Sequence, residues 1–237
     1  MSKFPAIATA ILTLSFVLSP LVTEPFSGFR AEQLPIPQVR PPVQPAGYAF
    51  AIWGVLYVWL VVSAAFGLWK RPMAEDWDHV RWPLMVSLAA GTPWLWLATH
   101  SAIGAAVLIF AMLIPAVIAL LRAPLRDRLW LRTPIALYAG WVSAAACVSL
   151  ATVAAGYGVG FGALFWAVVG VSLAFFIARW TQSRRADTPE YSVAVIWALT
   201  GIVVANGTTE PLVSVLAMVG IIALVLLWWT DRHPAKT

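Results

Sequence analysis

Residues 40–59 read RPPVQPAGYAFAIWGVLYVW, and this stretch decides the fold. Pro41, Pro42 and Pro45 offer no backbone N–H and hold the approach to Gly47 as an irregular loop. From Gly47 to Trp69 the chain carries no charge. Within that run Phe50, Trp53 and Tyr57 recur at i, i+3 and i+7, the spacing that sets three side chains on one face of a helix. Such a helix is long enough to cross a bilayer, and its aromatic face can hold something flat and apolar.

The rest of the chain has the same character. Of 237 residues, 61% are hydrophobic and 11% charged, with a mean hydropathy of +0.84. Charged residues make up about a quarter of soluble chains, so the composition describes an all-α integral membrane protein. The pI near 9.8 does not point to nucleic acid, because the basic residues fall in short loops between apolar spans, where they set orientation. The single Cys147 leaves no disulfide framework and no CxxC metal or redox pair.

On a ruler of about 20 apolar residues per crossing, the chain divides into eight expected spans: 4–23, 47–69, 82–99, 102–121, 131–154, 161–178, 191–206 and 211–229. The fifth and sixth are separated only by Gly156, Gly158, Gly160 and Gly162, poor helix formers that favour a turn. The first span reads as a membrane helix and not a signal peptide, since only Lys3 precedes its long apolar run. Under this division thirteen Lys and Arg fall on one side, leaving Arg30 and Arg40 on the other. That asymmetry places both termini in the cytoplasm. No expected span interior contains an ionisable residue of the kind that proton-coupled pumps and ion carriers keep at membrane depth.

The fourteen tryptophans form two groups. Trp69, Trp77, Trp82, Trp130, Trp180, Trp228 and Trp229 lie at span ends or in loops, where an indole anchors at headgroup level. Trp53, Trp94, Trp96, Trp141, Trp166 and Trp197 lie within spans, where the N–H needs a partner or a ligand.

Three aromatic landmarks on three different helices, the second, third and fifth expected spans, then carry a family resemblance: IWGVLY behind the proline loop, PWLW with Trp94 and Trp96, and Tyr138 with Trp141. In this order they resemble the TspO/MBR family, the translocator proteins or tryptophan-rich sensory proteins, over residues 4–154. The chain departs from that family's pattern at Ala51, Pro93 and Ser149, and lacks the sterol motif of animal members. Reversed, Arg132, Tyr138 and Val142 fit a CARC pattern. The resemblance implies a five-helix bundle over 1–155 with a ligand cavity. Three additional transmembrane helices in 156–237 would pack on it as part of one membrane domain, eight spans in all.

Carried over, the cavity wall would be Phe50, Trp53, Tyr57, Trp94 or Trp96, Tyr138 and Trp141, with residues 24–44 as lid. Trp94 and Trp96 are about 200° apart on a helix wheel, so only one of them can face it. The implied function is a membrane sensor or binding protein for a planar hydrophobic, tetrapyrrole-like ligand such as a porphyrin, surrounded by lipid. The alternatives are a facilitative transporter of a small apolar or zwitterionic solute and, behind it, an intramembrane enzyme. No nucleophile and base pair up, so no catalytic role is expected, and neither cofactor nor metal. A homodimer stays open, since the Gly158–Gly162 GxxxG match straddles a loop. His79, His100 and His233 read as solvated, and Asn206 with Glu210 as a helix terminus near the outer surface.

Overall fold

The computed structural model describes residues 2–232; the readings of His233 and Lys236 lie outside them. Among these residues there are nine α-helices and no strand: α1 (Phe4–Leu18), α2 (Ile52–Lys70), α3 (Glu75–Gly91), α4 (Trp94–His100), α5 (Ala102–Arg122), α6 (Arg132–Gly156), α7 (Ala163–Arg184), α8 (Pro189–Asn206) and α9 (Pro211–Arg232). Local chemistry sets their starts. Pro5 and Pro189 sit in the first turns of α1 and α8, where a missing N–H leaves no bond unmade. Glu75, Asp76 and Asp78 occupy the first turn of α3, at the positive end of its dipole. The Ser101 hydroxyl accepts from the Gly104 N–H at 3.1 Å and caps α5. The glycine-rich segment between α6 and α7 forms the expected turn, with Gly158 and Gly160 both at φ +66°.

Seven of these helices are long and apolar enough to cross a membrane. The third expected span, 82–99, is not one continuous helix. It is α3 followed, after a break at Thr92 and Pro93, by the short α4. Pro93 lacks the N–H that would continue the ladder to Ala89. Together α3 and α4 lead from the turn after Lys70 to the opposite end of the bundle. Because α3 begins seven residues earlier than expected, Arg81 belongs to a helix interior and is 2% exposed. Its charge is matched there: Nη1 donates to Asp78 at 2.7 Å, and Nη2 to the Gly67 and Arg71 carbonyls, each at 2.9 Å. A buried charge persists only when paired in this way.

The centre of the bundle is α6, packed against α2, α5, α7 and α8. Small residues permit the approach: a Cβ at Gly140 would lie 2.3 Å from the Tyr191 carbonyl oxygen of α8. Two tyrosine–serine bonds pin the contact on either side. Tyr138 meets Ser87 of α3 at 2.8 Å, and Tyr191 meets Ser143 at 2.6 Å.

The Arg-rich loops gather at one end and are stitched together there. Asp127 accepts from Arg71 at 2.7 Å and from the Trp77 indole at 3.1 Å, and Arg128 pairs with Glu190 at 2.7 Å. Asp187 receives both Arg132 and Arg185. Arg185 also donates to the carbonyls of Leu120, Leu121 and Ala123, neutralising the negative C-terminal end of α5. Trp77, expected as an interfacial anchor, is instead 2% exposed, with Phe66 stacked on it and Gly67 leaving room for its ring.

Candidate ligand cavity

At the other end of the bundle the proline loop enters a 3-10 turn, Gly47–Ala51, that runs into α2. This turn and the first helical residues present Phe50 and Trp53 to a cavity closed on its far side by α6. Trp141 supplies the α6 wall, and the face continues through Ala144, Ala145, Val148, Ser149 and Thr152, the i+3, i+4, i+7, i+8 and i+11 positions of one helical stripe. Trp94 of α4 and Ala198 of α8 complete the sides. Over the top lies the loop after α1, which contributes Phe26, Gly28, Phe29, Gln44 and Pro45, the position expected of a lid.

The geometry separates the expected wall residues into three groups. Phe50, Trp53, Trp94 and Trp141 line the cavity, with Trp141 edge-on to Phe50 at 6.0 Å and to Trp53 at 6.2 Å. Tyr57 and Tyr138 lie one layer deeper, outside the lining. There both meet Phe16 edge-on, at 5.5 and 5.8 Å, and Trp53 stacks on Tyr57 at 5.3 Å. Trp96 is on the outer surface, 55% exposed and stacked on His100. Its partner in the PWLW segment, Trp94, turns inward at 5% exposure, meeting Phe26 edge-on at 5.1 Å.

Sequence reasoning missed Phe16, Phe26 and Phe29, which sit on α1 and its following loop with no periodic signal of their own. It also missed the small residues of the α6 stripe, which follow from Trp141 once the helical period is continued.

The lid is tied down at several points. Gln44 donates to the Ser27 carbonyl at 2.8 Å, Gln33 to Ala98 at 2.9 Å and Arg30 to Thr99 at 3.0 Å. The Ile36 N–H donates to Gly156 at 2.8 Å. Asn206, expected near the surface with Glu210, is 5% exposed and donates to the Pro42 carbonyl at 2.8 Å.

Chemically the cavity is apolar, aromatic and uncharged, with polar atoms from Gln44, Ser149 and Thr152. Its volume of about 50 Å³ admits a few waters or the edge of a ring. The indole hydrogens decide its character. Trp94 spends its N–H on the Ala105 carbonyl at 3.0 Å. The Trp141 Nε1 is buried with no hydrogen-bond partner among the described residues. An unmet buried donor costs about 1–3 kcal/mol, and the ring that carries this one is part of the cavity wall.

Among known proteins, the pattern of the family described as TSPO-like protein matches residues 7–230. The match runs on through α7, α8 and α9, so these helices fall within the family's pattern, although the sequence had suggested a resemblance ending near residue 154. No curated protein and no solved structure matches the chain. An all-helical membrane bundle, an aromatic cavity under a loop and a match over nearly the whole chain agree: the chain belongs to the TSPO-like family of multi-pass membrane proteins, whose members generally bind hydrophobic ligands.

Proposed function

We propose that the protein is a membrane sensor or binding protein that takes a flat hydrophobic ligand carrying a hydrogen-bond acceptor into the cavity between α2, α4, α6 and α8. The observation that carries this reading is an aromatic, uncharged wall that includes Trp141, whose buried N–H has no hydrogen-bond partner among the described residues. A tetrapyrrole such as a porphyrin suits it: the macrocycle offers a planar face to Phe50 and Trp53, and its carboxylates or carbonyls offer acceptors. At about 50 Å³ the cavity takes only the edge of such a ring with the lid closed, so a tetrapyrrole enters by displacing the lid. No catalytic role is part of this reading. The test is a tryptophan-quenching screen of the purified full chain against porphyrins, sterols and carotenoids. Saturable quenching by porphyrins that a Trp141→Phe variant weakens supports the reading. No saturable quenching by any of the three classes removes it.

One observation favours facilitative transport as a second reading. Beneath the Phe16 layer a smaller space of about 10 Å³ lies among Thr9, Thr13, Ser63 and Arg81. It is on the side of Phe16 away from the aromatic cavity. Vectorial flux of the ligand in proteoliposomes, increased by Phe16→Ala, would favour transport over sensing.

The same reading places the protein in a cytoplasmic membrane with the Arg-rich end and both termini inside, from the thirteen-to-two division of basic residues. Reporter fusions at residue 160 and at the C-terminus should then report opposite sides. Identical reports overturn the placement.

A further inference from the structure

The lid and the rim of the cavity are held by different parts of the molecule. On the α4 side the ties are side-chain bonds at the surface, from Arg30 and Gln33 to the last carbonyls of α4. On the opposite side the proline loop and the 3-10 turn lie directly on α8, and the bonds there are of another kind. The Ala46 N–H donates to the Gly201 carbonyl at 2.9 Å, a backbone bond between loop and helix. The Trp197 indole donates to the Ala49 carbonyl at 2.8 Å, and the buried Asn206 amide to the Pro42 carbonyl at 2.8 Å. Gly201 makes the approach: a Cβ there would fall 2.8 Å from that of Pro45 and 2.9 Å from that of Ala49. Tyr48 closes edge-on against Trp197 at 5.5 Å. The segment gripped in this way carries Gln44, Pro45 and Phe50, three of the cavity's lining residues.

We propose that α8 is the holder of the cavity rim, with Asn206, Trp197 and Gly201 acting as positioning residues that keep residues 42–51 closed over the ligand site. This rests on the reading of that cavity as the ligand site. It gives the C-terminal part of the chain a task that its distance from most of the aromatic wall conceals. The proline loop has no N–H at Pro41, Pro42 and Pro45; the Gln44 N–H meets the Pro41 carbonyl at 2.9 Å, and α8 meets the Pro42 carbonyl. Through the same bonds an occupant that lifts the rim must loosen α8. By linkage, weakening α8's grip must ease the opening of the rim.

The opening can be read without any ligand. In a Cys147→Ala background, Ser149→Cys places a single thiol on the α6 wall of the cavity, and its rate of modification by N-ethylmaleimide reports how often the cavity opens. Losing one net hydrogen bond should raise that rate about five- to tenfold in Asn206→Ala and, separately, in Trp197→Phe. Ser214→Ala is the control: its hydroxyl donates to the Gly207 carbonyl in the turn after α8, away from the proline loop, and its rate should match the parent. Thermal unfolding of each variant is followed in parallel, and Trp197→Phe stands if Asn206→Ala fails to fold. Parent-like rates in both α8 variants overturn the proposal. So does an equal rise in Ser214→Ala, which would mean general loosening. Because the readout needs no ligand, its failure is distinct from a failure of porphyrin binding.

Discussion

Replacing Trp141 by Phe separates a ligand-facing indole from a packing one, because the structure gives two effects of opposite sign. Phe keeps a ring against Phe50 and Trp53, which it meets edge-on at 6.0 and 6.2 Å, and loses roughly 40 Å³ of side chain. At about 24 cal/mol per Å³ the cavity term is about 1 kcal/mol, to which the transfer free energy of the removed ring atoms adds. Against it, the substitution removes a buried N–H that has no acceptor, relieving a penalty of about 1–3 kcal/mol. The empty protein should therefore lose little stability or gain some. The liganded protein loses a hydrogen bond made only when the cavity is filled, about 1 kcal/mol or five- to tenfold in affinity.

Trp94→Phe supplies the contrast. Its indole already donates to the Ala105 carbonyl, so its loss should fall on stability, by about 1–3 kcal/mol. The assay is thermal unfolding beside equilibrium quenching with a porphyrin, with Trp69→Phe, at a 75% exposed site, as reference. If Trp141→Phe loses as much stability as Trp94→Phe while its affinity stays at the parent value, Trp141 is a packing residue and the cavity assignment fails.

Three further outcomes follow from the same structure. Ser87 has one hydrogen and donates it to the Met112 carbonyl at 2.7 Å, so the buried Tyr138 hydroxyl is the donor in their contact. Ser87→Ala should cost about 1–3 kcal/mol in a denaturation midpoint, and Tyr138→Phe added to it should recover part of that loss; an additive double variant refutes the bond's role. At the Arg-rich end, the Arg71 guanidinium, helped by the Trp77 indole, holds the Asp127 carboxyl below the usual carboxylate range. Its contribution is complete above the unfolded value near 3.9 and is lost as pH falls through the lower folded value, so acid should lower the unfolding midpoint below about pH 4. Asp127→Asn should flatten that part of the profile, and an unchanged acid slope would exclude Asp127 as its source. Arg185→Ala, which strips three donors from the end of α5, should speed hydrogen exchange in the last turn of that helix more than elsewhere.

How much of this the sequence could show depends on whether a feature is periodic. The aromatic stripe Phe50–Trp53 and the glycine turn before α7 are local patterns, and both stand where the sequence places them. The wheel angle between Trp94 and Trp96 lets only one of them face the cavity, and it is packing against Phe26 and Ala105 that turns Trp94 inward. Tyr57 shares the helical face of Trp53 yet sits a layer below the lining, because Phe16 of α1 fills the space beside it. That is a contact between residues 41 positions apart that no single-helix pattern encodes. An apolar ruler starts the third span at Trp82 and leaves Arg81 outside it, because a charge interrupts the run. The ruler has no means of knowing that Asp78 and two carbonyls stand ready to pair with it.

The same limit explains the proline loop. Its prolines announce an irregular segment poor in local donors: the Gln44 N–H meets the Pro41 carbonyl at 2.9 Å, but the Pro42 carbonyl takes its donor from a distant residue. That the supplier is α8, more than 150 residues further along the chain, follows only from the three-dimensional packing. The prolines at the start of the decisive stretch and Asn206 near the end of α8 are therefore two halves of one device. The loop can afford to be rigid and donor-poor because a helix outside the first five expected spans completes it.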